Sequence, residues 1–173
     1  GGTSHAGIVY SFNRGAVPFC SLQTASGKIG AMIGVFGQGF TSSSVAEFGG
    51  VSAAKVTLTG STFLTATVPG GALTGSVTVT TGSTTLTCKQ TFKVTPMLKS
   101  FSPPAGPVGT TVTITGAGLT QASKVTFNGT SAAFTVNSDA QVTATVPTGA
   151  TTGKIGVTTK GGTATSTTTF TIP

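Results

Sequence analysis

Residues 100–119 read SFSPPAGPVGTTVTITGAGL, and this stretch decides the fold. Phe101 gives a short apolar start that runs into Pro103 and Pro104 and then into the turn Gly106-Pro107-Val108-Gly109. From Thr111 to Thr115, threonine alternates with Val112 and Ile114. A period of two built on β-branched side chains predicts a strand with one buried face. The strand stops at Gly116-Ala117-Gly118, where glycine permits the positive φ of a tight turn, and Leu119 follows as an apolar plug. Further on, the stretches 125–129, 141–147 and 154–159 repeat the strand-then-turn rhythm before a threonine-rich strand that ends at Phe170 and Ile172. About seven short strands, with turn signals every 8 to 12 residues or so, predict an all-β sandwich.

The order P-x-x-G-P-V-G-T-x-V-T-I-x-G-x-G-L over 103–119, then K-V-x-F-N-G over 124–129, then V-T-A-T-V-P-x-G-A-x-x-G-K-I-x-V-T-T over 142–159 resembles the bacterial IPT/TIG domain. The resemblance covers residues 97–173 and implies an early-set immunoglobulin-like fold.

The same landmarks occur earlier in the chain. Gly39, Phe48 and Gly50 each recur 79 residues on, at Gly118, Phe127 and Gly129. Past a one-residue deletion, Pro69 and Phe92 recur 78 residues on, at Pro147 and Phe170. A repeat of this length predicts two tandem copies of one unit. The expected organisation is a pair of immunoglobulin-like β-sandwiches over 20–96 and 97–173, preceded by an N-terminal extension strand and linker over 1–19. Thr95-Pro96-Met97 is too short for a free tether, and Pro96 stiffens it, so the pair is expected to form a semi-rigid rod.

Composition agrees with a secreted all-β protein. Of the 173 residues, 37% are hydrophobic and only 6% charged, and threonine and serine fill the outward strand positions. No apolar run approaches the roughly 18 residues of a membrane-spanning helix. No signal peptide opens the chain, which begins at Gly1; it reads as a processed or trimmed product whose leader lies upstream. The formal charge of +7 comes from nine Lys and Arg against two acids, and the cations are scattered singly from Arg14 to Lys160. Without a basic cluster or interleaved aromatics there is no nucleic-acid surface, and the lysines are read as keeping sheet edges soluble.

Catalysis lacks its parts. Glu47 is expected to point to solvent between inward Ala46 and Phe48, and Asp139 lies in the other unit, in the turn Asn137-Ser138-Asp139. Paired acid chemistry needs two carboxyls within roughly 5 to 10 Å, and the single His5 has no acid beside it. One histidine and two distant cysteines make no zinc spacing, and two isolated acids make no calcium cage, so no metal and no cofactor is expected. The G-x-G pairs at 37–39 and 116–118 precede no helix and are not phosphate loops. Asn128-Gly129-Thr130 fits an N-glycosylation sequence but is read as a β-turn. Phe36, Phe48, Phe92, Phe127 and Phe170 are assigned to the core, leaving no visible aromatic platform for sugar stacking.

By the repeat, Cys20 stands where the second unit has Lys99, and Cys88 where it has Ser166. In the resembled fold the first and last strands run side by side in parallel, which implies an internal Cys20–Cys88 disulfide. Two separate thiols or a bridge between chains are the alternatives. An internal bridge fits an oxidising compartment.

The repeat leaves GGTSHAGIVYSFNRGAVPF, residues 1–19, unexplained. The pattern G-G-T-S-x-x-G-x-V-Y-S-F is similar to the end of a GloVer repeat, found in large secreted bacterial proteins that carry IPT/TIG domains, which implies a longer precursor. Ile8, Val9, Tyr10 and Phe12 form an apolar strand, with Arg14 to Pro18 as its linker. Such a strand pairs with an edge of its own chain or with that of a neighbouring copy. Two functions stay open. One is an extracellular structural rod, a homo-oligomer that grows into a filament by strand addition. The other is an accessory spacer or glycan-binding module of a larger secreted or cell-surface protein.

Overall fold

Alternating apolar and threonine positions fold into strands throughout the computed structural model, which describes residues 18–173. No helix occurs among the described residues. The first sandwich contains β1 (Ser21–Leu22), β2 (Ser26–Gly27), β3 (Met32–Phe36), β4 (Val45–Phe48), β5 (Val51–Ser52), β6 (Lys55–Gly60), β7 (Phe63–Thr67), β8 (Val77–Thr81), β9 (Thr84–Thr87) and β10 (Lys93–Val94). The second contains β11 (Met97–Ser102), β12 (Thr111–Ala117), β13 (Ala122–Phe127), β14 (Thr130–Ala132), β15 (Phe134–Ser138), β16 (Gln141–Thr145), β17 (Gly153–Thr159) and β18 (Gly162–Phe170).

The sheets of the first sandwich run β1-β3-β7-β6 and β5-β4-β8-β9. Those of the second run β11-β12-β16-β15 and β14-β13-β17-β18. The two orders coincide when β1 is matched with β11, β3 with β12, β4 with β13, β7 with β16 and β8 with β17. First and last segments pair in parallel in both: β2 with β10, and Ala105 with Thr171. The strand order of the second sandwich thus occurs in the first as well.

Each sandwich closes on its own core, because inward positions of facing sheets interdigitate. In the first, Ile33 and Val35 of β3 meet Ala46, Phe48, Leu64, Val77 and Phe92. In the second, Val112 and Ile114 of β12 meet Phe127, Val142, Ile155, Val157 and Phe170. Phe48 and Phe92 stack edge-on with ring centroids 5.0 Å apart, and their repeat partners Phe127 and Phe170 do the same at 5.1 Å. Such pairs add about 0.5–1.5 kcal/mol to the burial of their area. The turn after β13 needs left-handed backbone at two successive residues, met by Asn128 (φ 46°) and Gly129 (φ 91°). Gly49 and Gly50 meet it after β4, with φ of 59° and 85°.

The sandwiches touch where the sequence predicts a stiff linker. The backbone amide of Thr74 donates to Oε1 of Gln121 at 2.8 Å, and that of Val94 to Oγ1 of Thr74 at 2.9 Å. A β-carbon on Gly118 would lie 3.3 Å from the Thr95 carbonyl oxygen, and one on Gly161 would run into the Val94 carbonyl. The end of β10 thus seats against glycine-surfaced turns of its neighbour.

Candidate functional site

The two carboxylates lie in different sandwiches. Glu47, in β4, faces outward from between buried Ala46 and Phe48, and Oγ1 of Thr78 donates to its Oε2 at 3.5 Å. Asp139 organises a loop: its Oδ1 accepts from Oγ1 of Thr120 at 2.8 Å, its Oδ2 from the Gly118 amide at 3.3 Å, and its carbonyl from the Leu119 amide at 3.0 Å. That loop carries the glycine which receives the first sandwich. Sequence reasoning missed this role; the available signal was an acid at a turn in a chain that holds only two. Among the described residues no three His, Cys, Asp or Glu side chains gather as metal ligands. No helix among them is long and apolar enough to cross a membrane. Asn128 is a turn residue whose amide nitrogen donates to Oγ1 of Thr151 at 2.9 Å and to the Thr152 carbonyl at 3.2 Å.

Cys20 and Cys88 form a disulfide, their α-carbons 4.2 Å apart, and neither cysteine is free. It ties the segment before β1 to the segment after β9. The second sandwich fills the place of Cys88 with buried Ser166, whose Oγ donates to the Thr168 carbonyl at 2.7 Å and accepts from the Ile155 amide at 3.0 Å.

The assignment of Phe36 to the core is overturned. Strand β3 presents Ile33 and Val35 inward, so its other parity, Met32 and Phe36, faces solvent, 76% and 43% exposed. The register across the sheet sets out three rungs on this outer face. Ser21, Phe36, Phe63 and Gly60 form one; Gln23, Gly34, Thr65 and Thr57 the next; Met32, Thr67 and Lys55 the third. The Phe36 and Phe63 rings have centroids 5.0 Å apart and tilt by 43°. Gly34 sits in the middle, where a β-carbon would meet the Gln23 side-chain oxygen and lie 3.0 Å from the Phe63 ring. Glycine therefore lets an aromatic ring and an amide close over one spot. An aromatic surface is present after all, hidden in the sequence because it uses phenylalanine on a strand rather than tryptophan on a loop.

The matching face of the second sandwich carries Thr115 opposite Gln141 where the first has Phe36 opposite Phe63. Thr111 and Thr113 stand there for Met32 and Gly34. At the end of the first sandwich a cavity of about 320 Å³ is lined by Pro18, Gln38, Gly39, Thr81, Thr84 and Leu86. The candidate inter-subunit strand, Ile8, Val9, Tyr10 and Phe12, lies outside the described residues.

Among solved structures, the chain is similar to the surface glycan-binding protein PbSGBP-B from Prevotella bryantii, with TM-score 0.56 and 17% identity, over 88% of this chain and 41% of that one. It is also similar to SGBP-B from a complex xyloglucan utilization locus in Bacteroides uniformis, with TM-score 0.43 and 19% identity, over 89% of this chain and 49% of that one. The chain thus spans less than half the length of either. A comparison with curated proteins finds no match. Residues 96–172, from Pro96 of the linker through all strands of the second sandwich, match the model of the IPT/TIG domain family.

Proposed function

We propose that this chain is a non-catalytic accessory segment of a larger cell-surface glycan-binding protein, a pair of sandwiches that spaces and presents a sugar-binding surface. The observation that carries this reading is the fold shared over 88% of the chain with a surface glycan-binding protein. The seated junction supports a spacer role, because a domain pair joined by a hydrogen bond and by close backbone contacts at Gly118 and Gly161 holds its direction where a flexible linker would not. The disulfide supports an extracellular site, since such bonds persist in oxidising compartments. The alternative, a filament built by N-terminal strand addition, rests on residues 1–17 and has no support from the comparisons.

The test is retention of the purified chain on a panel of insoluble polysaccharides, read by the fraction left in the supernatant. Saturable retention on at least one is expected. No retention on any, at concentrations that hold a known glycan-binding module, overturns the glycan reading and leaves a bare spacer.

A further inference from the structure

We infer that the outer face of the β1-β3-β7-β6 sheet binds neutral polysaccharide, with the Phe36 and Phe63 rings stacking on sugar rings and the Gln23 amide beside them reading hydroxyls; this rests on the glycan-binding reading above. The internal repeat is the control. The same sheet, in the same register, bears Thr115 and Gln141 in the second sandwich, so neither the strand pairing nor the core requires aromatic residues at these positions. Exposing Phe36 and Met32, and leaving Phe63 only half-buried, on a stable sheet forgoes burial that threonine would not seek.

The chemistry of the face selects its occupant. Among the described residues its rungs carry one cation, Lys55 on the edge strand, and no acid. An anionic polymer is held by several cations placed against its charges, and among the described residues these rungs hold Lys55 alone. A neutral ligand is the complementary partner. The apolar part of the face is small, two partly exposed rings and one methionine, whereas a specific protein interface takes about 800 Å² from each partner. What these side chains supply is the makeup of a small-ligand site, flat apolar contact with a few convergent polar groups. Thr57, Thr65 and Thr67 line the rungs beside the rings, and the Gln23 side chain makes no hydrogen bond to another described residue. Met32 and Phe36 are four residues apart on one strand, about 13 Å, enough for more than one sugar unit.

The test uses the full chain and a variant that carries the second sandwich's own residues, Phe36→Thr with Phe63→Gln, which the repeat shows this sheet geometry to accept. A control variant, Thr115→Ala with Thr143→Ala, alters the matching face of the second sandwich. Probes are insoluble cellulose, xylan and mixed-linkage glucan as neutral polysaccharides and alginate as an acidic one. Retention of the parent on a neutral probe, reduced tenfold or more in the phenylalanine variant and unchanged in the control, is the expected result. Parent and phenylalanine variant retained alike overturn this site while leaving the glycan reading intact. A parent retained on no probe overturns both. Retention on alginate alone overturns the neutral assignment. Concentration-dependent dimerisation that the phenylalanine variant abolishes identifies a second copy as the occupant and overturns the proposal.

Discussion

The carbonyl of Val94, at the end of the first sandwich, rests on the backbone of Gly161 in the second so closely that residue 161 has no room for a side chain. Two units that share no core are thereby held in one orientation. The expected effect of Gly161→Val is loss of that orientation with both sandwiches still folded. Small-angle scattering checks this as a broader distribution of overall dimension with circular dichroism unchanged. An unaltered scattering profile counts against a seated junction.

Gln121 is the polar half of the same contact. Gln121→Ala removes the acceptor for the Thr74 amide, and its expected cost is about 1 kcal/mol of coupling between the units. Calorimetry reads this as a wider gap between their two melting transitions, because neither core is touched.

The disulfide belongs to the first sandwich alone. The chain-entropy model assigns a bridge over 68 residues about 4 kcal/mol of stability. Cys20→Ser with Cys88→Ser is expected to lower the first transition markedly and leave the second in place. If both move together, the sandwiches melt as one unit.

The aromatic pairs offer a matched experiment on the two cores. Phe48→Ala and Phe127→Ala each remove a fully buried ring, at an expected cost of about 3–5 kcal/mol. Each is expected to unfold its own sandwich and spare the other, which hydrogen exchange resolves residue by residue.

Asp139 is expected to be structural. Asp139→Ala strips the Gly118 amide and the Thr120 hydroxyl of their acceptor, at an expected cost of about 1–3 kcal/mol. Loosening of residues 118–120, seen as faster exchange of those amides, is the measurement. Asp139→Asn, which keeps an acceptor oxygen, is expected to retain most of the protection.

The fold was legible because its signals are local and repeated. Alternation at Val112 and Ile114 reports a strand by period alone, and the recurrence of Phe48 at Phe127 and of Phe92 at Phe170 reports the second copy. The disulfide was legible only through the family likeness, because nothing near Cys20 or Cys88 in the chain says which strand lies beside which. The candidate sugar face was missed for a physical reason. Phe36 follows Ile33 and Val35 in an almost wholly apolar strand, MIGVF, and apolar content alone does not say which parity faces in. Only the pairing of β3 with β7, which puts Val35 opposite Leu64 in the core, fixes Phe36 on the outside. Asp139 escaped notice likewise, since its partners lie some twenty residues away across a loop.

The disulfide also sets how the chain answers a pull. Tension entering at Cys20 crosses to Cys88 through sulfur and reaches the linker a few residues later, so the strands between the two cysteines carry none of it. The second sandwich has no such shunt. Its first and last segments are joined by parallel pairing, with the Gly106 amide bonded to the Thr171 carbonyl at 3.0 Å and the Thr171 amide to that of Pro104 at 3.1 Å. Once those bonds shear, the roughly 75 residues of that sandwich can pay out about 250 Å of extended chain. Under load, the chain is an inextensible link in series with a breakable one.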